Sequence, residues 1–106
     1  MAIIENLTLS NNVIANYEGE IEDSKPHGLG NAYYRSGGRY EGQWKEGKRC
    51  GQGKEYYPDG TLRYEGEWED GGRSGQGKSY YTDGNLAYEG KWIKDRPENF
   101  PRSTSF

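Results

Sequence analysis

The strongest constraint on this chain is an internal repeat of roughly two dozen residues. Tyr17-Glu18-Gly19-Glu20-Ile21 returns as Tyr40-Glu41-Gly42-Gln43-Trp44, Tyr64-Glu65-Gly66-Glu67-Trp68 and Tyr88-Glu89-Gly90-Lys91-Trp92, at steps of 23, 24 and 24 residues. The rest of the unit keeps the same step. Gly28-Leu29-Gly30, Gly51-Gln52-Gly53 and Gly75-Gln76-Gly77 are followed by Tyr33-Tyr34, Tyr56-Tyr57 and Tyr80-Tyr81. The units close on turn-forming residues at Ser36-Gly37-Gly38, Pro58-Asp59-Gly60 and Thr82-Asp83-Gly84. A period of this length marks an array in which each unit is one supersecondary element, unable to bury its apolar side alone.

Each unit reads as a β-hairpin. Tyr-Glu-Gly-Glu-Trp alternates large apolar with polar side chains, the strand period, and no stretch keeps an apolar period of 3.6 residues. The polar, glycine-bearing segments 45–50 and 69–74 read as the hairpin loops, and Pro58-Asp59-Gly60 as a turn preset by proline and released by glycine. That register sets Trp44 opposite Gly51 and Gly42 opposite Gly53, giving an indole room to lie flat where the facing strand has no side chain. Tyr40, Trp44 and Tyr57 then share one face, with Tyr56 on the other beside Glu41 and Gln43. The array divides into units 17–39, 40–63 and 64–87 and a partial unit 88–92. Residues 1–16 form an N-terminal capping half unit with a strand over 3–9 and a turn at Asn11-Asn12. Residues 93–106 form a C-terminal cap in which Pro97 and Pro101 stop further pairing.

Composition excludes several classes. Only 30% of the residues are hydrophobic, too few for a conventional two-layer core, yet 14% are aromatic and all ten tyrosines sit at repeat positions. Disordered chains are poor in aromatics and do not space them evenly. The net charge of -3 lacks the basic surplus of a nucleic-acid binder. A single cysteine, Cys50, rules out an internal disulfide framework and fits a reducing compartment. No stretch reaches the ~20 apolar residues of a membrane-spanning helix, and no secretory signal is visible at the N-terminus. These features point to a cytoplasmic address.

The Tyr-Glu-Gly-(Glu/Gln)-Trp, Gly-x-Gly and Asp-Gly pattern across residues 17–92 resembles the MORN (membrane occupation and recognition nexus) repeat. The Tyr-Tyr-x-Asp-Gly variant is similar to bacterial repeats of this type. The resemblance implies an all-β fold: an elongated, twisted antiparallel sheet of stacked hairpins, one layer thick, with an aromatic groove used to bind partners. It also implies settings as varied as phosphoinositide kinases, junctional membrane proteins and cytoskeletal scaffolds. Ile21 departs from the pattern in place of the first Trp. The histidine that often precedes Gly-x-Gly survives only as His27, with Cys50 and Ser74 in its place.

Catalysis is not expected. Cys50 and His27 occupy equivalent positions on successive hairpins, two strands and therefore ~10 Å apart, beyond hydrogen-bond reach. Glu65, Glu67 and Glu69, like Glu18, Glu20 and Glu22, read as a uniformly wet face rather than an acid/base pair with divergent pKa values. Gly-x-Gly lacks the third glycine and following helix of a phosphate cradle and recurs in every unit. No Cys/His set with metal-ligand spacing exists, and no cofactor is implied. Binding remains. A sheet buries one face against a second layer, and this chain has no sequence to build one. Tyr40, Trp44, Tyr64, Trp68, Tyr88 and Trp92 therefore either pack on one another or line an open groove for a partner protein, a peptide or a second copy. The alternative is a membrane-surface adaptor, with Lys45, Lys48, Arg49 and Lys54 meeting a lipid head group. Each basic residue contributes ~1 kcal/mol at an anionic surface, and the interspersed Glu41, Glu46 and Glu55 keep such binding weak and salt-sensitive.

Overall fold

The computed structural model of the chain describes residues 2–9 and 13–98 as one antiparallel sheet, with no helix among them. Its strands are β1 (Ala2–Thr8), β2 (Ile14–Glu22), β3 (Lys25–Tyr34), β4 (Arg39–Lys45), β5 (Lys48–Tyr56), β6 (Leu62–Glu69), β7 (Gly72–Tyr80), β8 (Leu86–Ile93) and β9 (Arg96–Pro97). They lie side by side in chain order, so every pairing is between sequence neighbours. The described body measures 49 × 25 × 20 Å, long across the strands as an array of hairpins must be. The all-β, single-layer architecture expected from the repeat is the one observed.

The hairpin loops are tighter than their polarity implied. The 45–50 loop shrinks to Glu46-Gly47 and the 69–74 loop to Asp70-Gly71, with Lys45 paired to Lys48 and Glu69 to Gly72. Both residues of each turn have positive φ, 50° and 83° at Glu46-Gly47. That is the primed two-residue turn, whose twist matches the strands it joins. Backbone bonds then tie each tip to the preceding hairpin: Gly47 N to Pro26 O at 2.8 Å, Gly71 N to Arg49 O at 3.0 Å and Asp95 N to Arg73 O at 2.8 Å. At the opposite side Pro58-Asp59-Gly60 turns as expected, with Asp59 Oδ1 accepting from Thr61 N at 2.8 Å.

The register is right at one pair and shifted at the next. Gly42 does face Gly53, but a bulge follows and Trp44 faces Arg49, while Gly51 faces Trp68 of the next hairpin. The bulge follows from Gly51 itself, whose φ of 65° takes the strand out of the ladder. The amide it orphans is captured: Gln52 N donates to Gln43 Oε1 at 2.7 Å, as Gln76 N does to Glu67 Oε1 and Leu29 N to Glu20 Oε1. Glu20 and Glu67 are thus structural acceptors, not merely wet carboxylates. The second glycine of each motif belongs to a row of glycines facing one another across β2 to β8, Gly19 through Gly90. Tyrosine rings, not indoles, lie over this row. A Cβ on Gly53 would sit 2.5 Å from Cε1 and Cζ of Tyr40.

At the ends, β1 pairs with β2 and brings Ile4 and Leu7 to the core, joined by Leu9 just beyond it. Pro97 pairs with Trp92. The expected turn at Asn11-Asn12 and the role assigned to Pro101 lie outside the described residues.

Candidate functional site

Of the two arrangements expected for the six aromatics, packing on one another or lining an open groove, the structure has the first. Tyr40 and Tyr64 are 0% exposed, Trp44 and Trp92 3% and Trp68 4%, and Tyr88 is half-buried against them. Edge-to-face contacts run unbroken along the array, from Tyr17–Trp44 at 5.4 Å through Tyr40–Trp68 and Tyr64–Trp92 at 5.0 Å to Tyr88–Trp92 at 5.6 Å. Each polar tip is satisfied internally. Trp44, Trp68 and Trp92 donate Nε1–H to the carbonyls of Gly30, Gly53 and Gly77 at 3.0–3.1 Å. Tyr40 and Tyr64 donate to Gln43 O and Glu67 O at 2.8 Å. Burial pushes the Tyr64 phenol up to about 12, an effect the nearby Arg73 partly opposes. A sheet without a second layer has made its core from one face by curling over its own aromatics. They are the interior of the molecule and offer little area to a partner.

An ionic row that sequence reading missed closes this interior. Glu55, 7% exposed, lies between Arg49 and Arg73, with N···O distances of 4.0 and 3.1 Å. Arg49 donates to Tyr34 Oη and Gly71 O at 2.7 Å and places its guanidinium 4.8 Å from the Trp68 ring. Arg73 sits 5.5 Å over Trp92 in the same way. The signal was present: Arg49 and Arg73 hold the same repeat position, which Pro26 and Pro97 fill in the outer units, and they lie over two of the three indoles. Buried charges persist only when paired; Glu55 and Arg49 are both paired and hydrogen-bonded, while the buried Arg73 Nε makes no hydrogen bond and lies 3.4 Å from Asp95 Oδ1.

The four basic residues of the lipid reading do not form one cluster. Arg49 points inward. Lys54 stands on the outer face, 3.8 Å from Glu65 Oε2, while Lys45 and Lys48 flank the Glu46-Gly47 tip. A hollow of about 660 Å³ lies beside these tips and mixes Lys48 and Lys94 with Glu69, Asp70 and Asp95, so its charges oppose one another. His27 and Cys50 have different surroundings. His27 Nε2 is 3.1 Å from Glu22 Oε1, and its Nδ1 accepts from Glu46 N at 3.3 Å. Burial raises the Cys50 thiol, the reverse of what an activated nucleophile needs, although Lys45 works against that shift.

The outer face carries the surface most unlike its surroundings. Most of it is charged or polar, with Glu41, Lys54, Glu65, Lys78 and Glu89 facing one another in alternating sign on β4 to β8. Along one margin runs a different row: Tyr33 faces Arg39, Arg39 faces Tyr56, Tyr56 faces Leu62, and beyond a bulge Tyr80 faces Leu86. Tyr33 is 42% and Leu86 49% exposed, Tyr56 and Tyr80 are half-buried, and the Arg39 guanidinium lies 3.8 Å over the Tyr56 ring. The Tyr-Tyr doublets explain the row. In the first two doublets one tyrosine, Tyr34 or Tyr57, hydrogen-bonds within the array through its Oη and the other turns outward, whereas in the third Tyr81 is itself 53% exposed.

A comparison with curated proteins gives no match. The family model of the MORN repeat, a generally non-catalytic module often engaged in protein or membrane interactions, matches residues 17–39, 40–62 and 64–86 in succession. These segments hold the tyrosine, glycine and tryptophan rows just described and cover well over half of the sequence, so the chain belongs to the MORN-repeat family.

Proposed function

We propose that the chain is a non-catalytic repeat scaffold that binds another protein or peptide, and that docking uses the outer tyrosine row rather than the inner aromatic face. One contrast carries this reading. Apart from the half-buried Tyr88 the inner aromatics are all but solvent-free, whereas Tyr33, Leu86 and their neighbours form an aligned, partly exposed apolar stripe on an otherwise charged face. Such stripes with polar surroundings mark interaction surfaces, and aromatic residues with arginine are the types enriched in binding hot spots. The lipid-adaptor reading has less support, because its basic residues point to different sides of the sheet.

A photo-crosslinking residue placed at Tyr33 and, in a separate variant, at Lys94 on a hairpin tip tests this in the cells that make the chain. A discrete protein adduct from position 33 and none from position 94 is expected. No protein adduct from position 33, together with salt-resistant flotation of the chain on anionic vesicles, would overturn the reading in favour of the membrane.

A further inference from the structure

We infer that the outer row binds an acidic, proline-rich peptide in the polyproline II conformation; the inference rests on the protein-binding reading and names the class of its partner. The spacing comes first. Tyr33, Tyr56 and Tyr80 stand on β3, β5 and β7, alternate strands of one sheet. Neighbouring strands are ~4.8 Å apart, which puts the tyrosines ~9.6 Å apart. A polyproline II helix rises ~3.1 Å per residue with three residues per turn, so the same side of the helix returns every ~9.3 Å. Over the two intervals of the row the mismatch is ~0.6 Å. An α-helix laid across the strands repeats its face after seven residues, ~10.5 Å, and drifts by ~1.8 Å over the same length. An extended strand brings side chains to one side every ~6.7 Å and meets the tyrosines out of step.

The chemistry agrees with the spacing. Proline rings at every third position stack on half-exposed tyrosines, the mode by which aromatic-lined grooves hold such segments. A polyproline II backbone makes no internal hydrogen bonds, so its carbonyls are available to tyrosine hydroxyls. Charge then selects among proline-rich sequences. Arg39 lies on β4 between Tyr33 and Tyr56, its side chain 38% exposed, and the exposed Arg63 lies on β6 between Tyr56 and Tyr80. Arg39 also lies 3.9 Å from Glu41 Oε1, to which Tyr56 Oη donates at 3.4 Å, and the Arg63 guanidinium lies 5.4 Å from the Tyr57 ring; with two arginines to this one carboxylate along the row, the residue between successive prolines is acidic. Leu62 and Leu86 extend the apolar floor beside Tyr56 and Tyr80. The row from β3 to β8 spans about 24 Å, room for about eight residues of such a peptide.

The test uses the full chain and a fluorescent peptide of three Pro-Glu-Pro triplets, read by anisotropy. Three other probes accompany it: the same peptide with Lys for Glu, a linear oligosaccharide of β-linked glucose, and anionic vesicles. Saturable binding of the Pro-Glu-Pro peptide is expected, at least tenfold weaker in Tyr33→Ala/Tyr56→Ala. Arg39→Glu should reverse the preference toward the lysine peptide. Neither change touches the inner stack, and unchanged tryptophan emission verifies the fold. No binding of the peptide by the folded chain at millimolar concentration overturns the inference, as does binding indifferent to the tyrosine substitutions. Tyrosine-dependent binding of the oligosaccharide or the vesicles in place of the peptide overturns it equally. If the peptide fails while position 33 still crosslinks a protein, the partner class is wrong and the scaffold reading stands; if both fail, both fall.

Discussion

Replacing Gly53 by alanine isolates the contact on which the inner stack depends. Gly53 is not among the positive-φ glycines, so its backbone accepts alanine without strain, and the added methyl alone is tested. That methyl would stand 2.5 Å from Cε1 and Cζ of Tyr40, about 1 Å inside ordinary contact. Tyr40 has nowhere to go: it is 0% exposed, its ring lies between Trp44 at 5.1 Å and Trp68 at 5.0 Å, and its hydroxyl is bonded to Gln43 O. Overpacking costs ~1–3 kcal/mol and loss of the buried hydrogen bond ~1 kcal/mol, while the stiffer unfolded chain returns ~0.4–1 kcal/mol. The expected net loss is ~2–3 kcal/mol, a fall in Tm of roughly 10–20 °C for a domain of this size. Urea titration followed by near-UV dichroism and tryptophan emission measures it. Because the cost arises from one ring, Tyr40→Ala should be less damaging in the Gly53→Ala background than in the parent chain. A Gly53→Ala protein within ~0.5 kcal/mol of the parent would refute the reasoning, since surface substitutions away from special features fall in that range.

Glu55→Leu leaves Arg49 and Arg73 facing each other without their carboxylate and should cost ~3–5 kcal/mol in urea unfolding, most of it restored when both arginines are also replaced by methionine. Stability should hold up to pH 10 and fall between pH 10 and about 12. Tyr17, Tyr34 and Tyr64 are pushed up to about 12 chiefly by burial, so the unfolded chain releases those protons first. In a pH titration the last tyrosinate absorbance should appear only as sheet dichroism disappears; complete ionisation near pH 10 with the sheet intact would contradict it. Cys50, its thiol raised by burial, should react with iodoacetamide at pH 8 at least several-fold more slowly in the folded chain than in urea.

The repeat made the architecture legible. Period-two alternation in Tyr-Glu-Gly-x-Trp located the first strand of each hairpin, and the Gly42–Gly53 pairing followed from symmetry about the loop. Two things were hidden for physical reasons. Lys45 and Lys48 are polar although they are strand residues, since a hairpin end projecting into water carries the same residues as a loop, so loop length was overestimated. The bulge at Gly51 was invisible because one glycine spelling serves both positive φ and close approach. Gly51 uses the first, while Gly53 yields to a tyrosine ring. The fate of the aromatic face could not be decided from pattern. Whether a row of Tyr and Trp closes or stays open depends on sheet curvature and on Arg49 and Arg73 covering the indoles, both set by the fold as a whole. The outward turn of Tyr33, Tyr56 and Tyr80 was half legible: Tyr56 was placed on the outer face by alternation, but its alignment with Arg39 and the other tyrosines needed the register.

Acrylamide quenching of intrinsic fluorescence tests the closed inner stack most directly. Trp44, Trp68 and Trp92 are the only tryptophans, and every one sits in that stack. With exposures of 3–4%, all three should emit to the blue of free indole and resist quenching until urea unfolds the sheet. An emission maximum and quenching constant matching the unfolded chain under native conditions would mean that the aromatic face is open, and the assignment of binding to the outer row would lose its ground.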